Sequence, residues 1–314
     1  MGFFMGKLSF SRRSRRATKA RWWFGGALVM ALLAGVAYWQ HWYEPLFFHL
    51  KERIEGPRQG LRLEEYRMVI EGKAVAGVSR NLSAISYDRE RDRLLAVTND
   101  PPVMLELDRQ GEVLDRHSLE GFGDIEGIAS LGNGRVVVVD ERRQRFSVFA
   151  MPEPGAAVDQ QRIQSLSLGM EEDGNKGFEG ISYDAEGDRL FVVKESRPRK
   201  LYAIEGFGAS LEQGLSLHIR DLTGWIDGLV FNRDLSDVFY HGPTGHLLLL
   251  SDRSHSLVEL DREGRYVSFR AFLRANEDMQ RDAPQLEGVT MDDQGDLYLV
   301  SEPNLFYRLK KTGS

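Results

Sequence analysis

Short apolar runs divided by turn residues recur along most of this chain. Five segments share one order: an apolar strand with a small or acidic residue near its start, a turn of Gly, Asp or Asn, a second apolar strand ending in an acid, then a third strand. They are SAISYDRERDRLLAVTND from Ser83, EGIASLGNGRVVVVDE from Glu126, EGISYDAEGDRLFVVKE from Glu179, SDVFYHGPTGHLLLLSD from Ser236 and EGVTMDDQGDLYLVSE from Glu287. Their starts lie 43, 53, 57 and 51 residues apart. A period of this size, made of short strands, predicts a β-propeller whose blades are four-stranded sheets around a central channel. Third strands are expected at 102–108, 144–150, 199–205, 255–261 and 304–310, and fourth strands near 112–119, 162–168, 215–222 and 266–272. The fifth copy shows no fourth strand. The strand-like stretch 63–71 (LEEYRMVIE) could complete it, joining the first strand to the last blade and removing open sheet edges. The expected fold is therefore all-β, a five-bladed β-propeller over residues 61–312, with six blades as the alternative.

Spacing also sets the alignment of the fourth copy. Trp225-Ile226-Asp227-Gly228-Leu229 resembles the Glu-Gly-Ile strings, but Asp227 lies 25 residues before Asp252, whereas the other copies place 15 to 17 residues between the same two points. Ser236, at 16, fits the series, and Asp227 falls in the connection before it.

Ahead of the repeats runs WWFGGALVMALLAGVAYW, residues 22–39, uncharged and almost wholly apolar. A helix of this length spans about 27 Å, close to the hydrocarbon thickness of a bilayer, and tryptophans at both ends suit its interfaces. The expected organisation is a basic cytoplasmic tail (1–21), a transmembrane helix acting as signal anchor (22–42), a juxtamembrane linker (43–60) and the propeller. Gly35-Val36-Ala37 would suit a processing site, but aromatics rather than polar residues follow, which favours an uncleaved anchor. Residues 1–21 hold seven basic side chains and no acid, which places the N-terminus in the cytoplasm and the propeller outward, in the periplasm of a cell with an inner membrane. Arg12-Arg13 and Arg15-Arg16 lack the apolar pair of a twin-arginine signal and read as topology charge.

The whole chain of 314 residues carries −6, so the residues after 21 must carry −13. An acidic body repels phosphate backbones and favours cations, so no nucleic-acid partner is expected. The partners expected are the membrane, through the N-terminal helix, and an unidentified envelope ligand or protein. The chain has no cysteine, which excludes disulfides, thiolate metal sites and a Cys nucleophile.

The strings IEGIASLGNGRVVVVDER, GFEGISYDAEGDRLFVVKE and above all LEGVTMDDQGDLYLVSEPNLFYRL resemble the SdiA-regulated (YjiK-like) family of bacterial proteins, over essentially all of residues 62–311. The resemblance implies a five-bladed propeller distantly similar to NHL-repeat proteins, a recurring calcium site and an N-terminal membrane segment. It brings no established enzymatic activity. Propellers of similar architecture include calcium-dependent lactonases, phytase-like esterases and pure scaffolds, so the fold alone does not choose among them.

In a blade the first strand runs beside the channel and the second returns, so the start of one and the end of the other share a face. Glu126, Glu179 and Glu287 should therefore circle one mouth, with Asp100, Glu141, Glu195, Asp252 and Glu302 as a second ring. Converging carboxylates either take up protons or share a cation. Calcium, which wants six to eight oxygens, fits best, with Ser83 and Ser236 as further donors; Mg2+ is the alternative, and zinc is disfavoured without Cys or a His pair at useful spacing. The competing reading has each Glu accepting backbone N–H groups of the next blade, the following Gly only permitting close approach. The acidic stretches that begin at Asp88, Asp184 and Asp292 lack the bidentate glutamate of a calcium loop and read as hairpin turns. Lys194, next to Glu195, could bring a positive charge beside the ring but reads rather as a solvated ion-pair partner, and His241 and His246 read as surface residues of a turn. Nothing resembles a nucleophile elbow, a phosphate loop or a zincin helix, and no catalytic residue is assigned. Two functions are expected: a membrane-tethered calcium-binding sensor, scaffold or ligand-binding module, or a calcium-dependent hydrolase of phosphoesters, esters or lactones.

Overall fold

The computed structural model describes residues 58–312 except 170–176, 196, 197, 228, 230–232 and 275–277, and in the N-terminal part residues 28–32, 35, 47, 48, 50, 51, 53 and 56. The chain divides into two units, 1–49 and 50–314. In the first, residues 28–32 and 35 are helical, and Leu28, Val29, Met30 and Leu32 are exposed. Most of the expected membrane helix, 22–42, lies outside the described residues. Among those described, no helix is long and apolar enough to cross a membrane.

The second unit is a ring of five antiparallel blades. After an outer strand β1 (Tyr66–Ala74), blade 1 comprises β2 (Leu82–Asp88), β3 (Arg93–Asn99), β4 (Pro102–Leu107) and β5 (Val113–Glu120). Blade 2 comprises β6 (Ile125–Gly132), β7 (Arg135–Asp140), β8 (Arg145–Ala150) and β10 (Gln164–Ser167), with β9 (Val158–Asp159) crossing to pair in parallel with β5. Blade 3 comprises β11 (Phe178–Asp184), β12 (Arg189–Lys194), β13 (Lys200–Glu205) and β14 (His218–Asp221). Blade 4 comprises β15 (Asp237–His241), β16 (His246–Ser251), β17 (Ser256–Leu260) and β18 (Tyr266–Ala271). Blade 5 comprises β19 (Gln285–Met291), β20 (Leu297–Glu302) and β21 (Leu305–Lys311), closed by β1 pairing antiparallel to β21 from Tyr66–Lys311 to Ala74–Leu305. The count is five, not six, and the stretch ahead of the first repeat completes the last blade. Ser236 begins the fourth repeat as its spacing predicts, while Asp227 sits in a short helix, Gly224–Asp227.

Middle strands are buried on both faces because each blade is covered by its neighbours. Val136, Val137, Val138 and Val139 of β7 have no exposed surface, each contributing about 1.5–3 kcal/mol on burial. The innermost strands β2, β6, β11, β15 and β19 pack in a closed ring. Hydroxyls lock them together: Ser86 accepts from Ser130 N (3.2 Å), Ser182 from Tyr240 N (2.9 Å) and Thr290 from Tyr87 N (3.0 Å). Asp237 stands where three other blades have glycine. Wholly buried, its carboxylate accepts Val238 N and, from blade 5, Val289 N, each at 2.8 Å.

The three aspartates read as turn residues do cap hairpins. Asp88 accepts from Glu90 N, Asp184 from Gly187 N and Asp292 from Gln294 N. His246 departs from expectation: it is buried, its Nδ1 2.7 Å from Glu259 Oε1. The reason is long-range. Glu259 also receives Leu61 N at 2.9 Å, and Arg58 donates to the Tyr266 carbonyl at 2.7 Å, so the segment entering β1 covers this edge of blade 4. Lys194 is likewise buried at the end of β12 rather than solvated.

Candidate metal centre at the channel mouth

Each Glu of the repeat is placed by a break in strand pairing. The β6–β7 register shifts between Ile125 and Gly127, β11–β12 between Phe178 and Ile181, and β19–β20 between Leu286 and Gly288. A bulge at these points turns the side chain out of the alternation and toward the channel. The glycine that follows serves packing: a Cβ on Gly127 would collide with the Glu179 carbonyl oxygen, and one on Gly180 with the Asp237 Cα. Neighbouring innermost strands can approach only because that atom is missing.

The carboxylates form a repelling set. Burial, then Glu195, Glu287, Glu141 and Glu126, push the Glu179 carboxyl well above its ordinary range. Burial and Glu126 do the same to Glu287, with Asp252 and Glu302 adding to the effect. Glu126 is pushed up to about 7, by burial and by Asp124 and Glu141, against hydrogen bonds from Asn99 and Ser83. Glu141 reaches about 6 through burial, Asp124 and Glu195. All of these are partly buried, reached by solvent through the mouth but walled by protein. Three carboxylates come closest, with oxygens of Asp124, Glu126 and Glu141 all within 4.8 Å of one another.

The second set is mixed. Glu141 Oε1 accepts Gly177 N at 3.1 Å and Asp252 Oδ1 accepts Leu286 N at 3.1 Å, so these two acids join one blade to the entry of the next. Glu195 lies 3.7 Å from Arg253, and Glu302 is raised by burial. Asp100 is not among them: it is exposed and pairs with Arg80 at 2.9 Å, because β3 ends at Asn99 and Asn99 Nδ2 reaches Glu126 Oε1 at 2.6 Å instead. Ser83 donates to the Asn81 carbonyl, and Ser236 accepts Asp252 N.

Backbone amides do not account for Glu179. Among the described residues no donor reaches its carboxylate, which faces four others. Asp124, Asp234 and Arg253 also belong to the mouth, and the repeat pattern does not single them out. A signal exists: Asp124 precedes Glu126 by two, as Asp234 precedes Ser236 and Gln285 precedes Glu287, and Gln285 donates to Glu287 at 2.6 Å. Oxygen is the only ligand type offered by Asp124, Glu126 and Glu141, which fits a hard divalent cation.

Comparison with solved structures finds likeness at low identity. A luciferin-regenerating enzyme superimposes with a TM-score of 0.50 at 13% identity, over 78% of this chain and 96% of that one. A nidogen/laminin complex gives 0.47 at 12% identity, over 75% and 85%. Residues 58–310 match the family model described as SdiA-regulated, a span that begins where Arg58 fastens the entering segment to blade 4 and ends in the strand that closes the ring. The chain belongs to the SdiA-regulated family.

Proposed function

We propose that this protein is a membrane-anchored, outward-facing calcium-binding propeller that acts as a binding, scaffold or sensor module, the ion fixing the shape of the channel mouth. The observation that carries the reading is the Glu179 carboxylate, which faces four others, receives no donor from the described residues and lies beside the Asp124–Glu126–Glu141 cluster. Such a set is costly when charged unless a cation shares it. Calcium suits the oxygen-only donors and the number of carboxylates; magnesium, which keeps more of its waters, is second. The apolar stretch 22–39 behind a basic tail supports the anchor and the outward topology.

The test is calorimetric titration of the metal-stripped full chain with calcium, with melting followed in parallel. Binding at about 10 µM or tighter and a higher melting temperature are the expected result, since a ligand at 100 times its Kd adds about 2.7 kcal/mol. Absence of both heat and shift would overturn the metal reading. The anchor is checked separately, by whether the chain stays with membranes after a carbonate wash.

A further inference from the structure

Away from the channel, three side chains meet on the outer half of blade 1. Asp115 and His117 lie two apart on β5 and so share a face, and Glu106 of β4 is paired in register with Asp115. His117 has no exposed surface and Glu106 is 5% exposed. The imidazole Nδ1 lies 3.0 Å from the Ala156 carbonyl oxygen, while Nε2 lies 3.1 Å from Glu106 Oε1 and 3.7 Å from Asp115 Oδ2.

A carbonyl oxygen only accepts, so Nδ1 carries a hydrogen. Nε2 then faces two carboxylate oxygens, themselves acceptors, and a cation must stand between them. Both carboxylates are fixed from behind. Arg93 Nη1 holds Glu106 Oε2 at 2.5 Å and Arg116 N holds Asp115 Oδ1 at 2.7 Å, the oxygens turned away from the imidazole, while Gly155 N steadies Asp115 Oδ2 at 3.0 Å on one of its lone pairs and leaves the other for the ion. A proton on Nε2 would serve Glu106 but not Asp115, since 3.7 Å is too long for a hydrogen bond. A tetrahedral ion with bonds of about 2.0–2.1 Å sets its ligands about 3.3–3.4 Å apart, between the two separations seen here.

We propose that His117 Nε2, Glu106 Oε1 and Asp115 Oδ2 form a zinc site. One nitrogen and two carboxylates suit zinc rather than calcium, and an Nδ1–H held by a backbone carbonyl is the usual outer-shell support of a ligating histidine. No His pair is needed: a lone His joined to two acids on adjacent strands supplies three ligands, with water as the fourth. Gly155 and Ala156 belong to the crossing segment that leads into β9, so the ion would fasten that segment of blade 2 to the outer edge of blade 1.

The test uses the full chain, stripped of metal and then saturated with calcium so that the channel acids are engaged. Zinc is titrated by calorimetry, and cobalt is used as a visible-absorbing substitute. One equivalent of zinc and the intense absorption of tetrahedral cobalt are expected. His117→Gln should lose both, and Asp115→Asn should bind at least about tenfold more weakly. If His117→Gln fails to fold, the wild-type cobalt spectrum and the partly exposed Asp115 variant still decide. No zinc equivalent, no tetrahedral cobalt band, or equal binding by the variants would overturn the site and leave a proton as its occupant. The proposal is independent of calcium at the mouth, so either can fail alone.

Discussion

The two faces of the propeller carry acids in opposite condition. At the hairpin face, Asp292 receives Tyr298 Oη at 2.8 Å and the amides of Gln294 and Asp296, and forms an ion pair with Arg109 at 2.9 Å; Asp296 is held by Arg308. Arg109 also holds the Asp92 carboxyl below its usual range. At the channel mouth the same residue types are pushed upward by burial and by one another. Burial is common to both faces. What differs is the counter-charge: arginines hold Asp292 and Asp296 at the hairpin face, whereas at the mouth they reach Asp124, Asp234 and Glu195 and, among the described residues, pair with none of Glu126, Glu179 and Glu287.

Removing a satisfied acid should therefore cost far more stability than removing an unsatisfied one. Asp292→Ala strands a buried tyrosine hydroxyl and two amides and removes one of three carboxylates around Arg109, and is expected to cost about 2–4 kcal/mol in urea unfolding. A loss under about 1 kcal/mol would mean the hairpin network is not what separates the faces.

Glu179→Gln should act with two signs. Deleting one charge from the repelling set raises the melting temperature of the metal-free chain, and the same change weakens calcium by at least about tenfold, or about 1.4 kcal/mol. A destabilised metal-free variant would show that Glu179 has a structural donor after all.

Acidity offers a gentler contrast. The folded Glu126 carboxyl, at about 7, binds its proton more tightly than the ordinary value of 4.5, so its contribution is present below about pH 4.5 and is lost as the pH rises toward 7. The metal-free chain should melt a few degrees lower at about pH 8 than at about pH 5.5, a change on the order of 1 kcal/mol, and calcium should flatten the difference. The hairpin acids do not oppose this, because Asp92 and Asp261 are held low and are already ionised throughout that range.

Much of this contrast can be traced to the sequence. The repeat spacing locates every blade and the Glu-Gly strings, because a bulged Glu and a glycine in close packing recur at fixed positions. Residues whose environment depends on a remote partner are not legible. His246 looks like a turn residue until Glu259 and the amide of Leu61 surround it, and His117 has no neighbour in sequence that announces Glu106. Asp124 is readable only as a polar position two before Glu126, which periodicity of apolar residues does not report.

Asp100 gives the smallest and most discriminating test. Its place in the repeat aligns it with Glu141, yet it stands 68% exposed beside a similarly exposed Arg80, while Asn99 takes the contact with Glu126. Surface ion pairs of this kind contribute little, so Asp100→Ala should change stability by less than about 0.5 kcal/mol and leave calcium affinity within about twofold. The same substitution at Glu141, which accepts Gly177 N and lies against Asp124 and Glu126, should reduce both. Equal effects at the two positions would mean that the position in the repeat, rather than the local counter-charge, decides which acids serve the mouth.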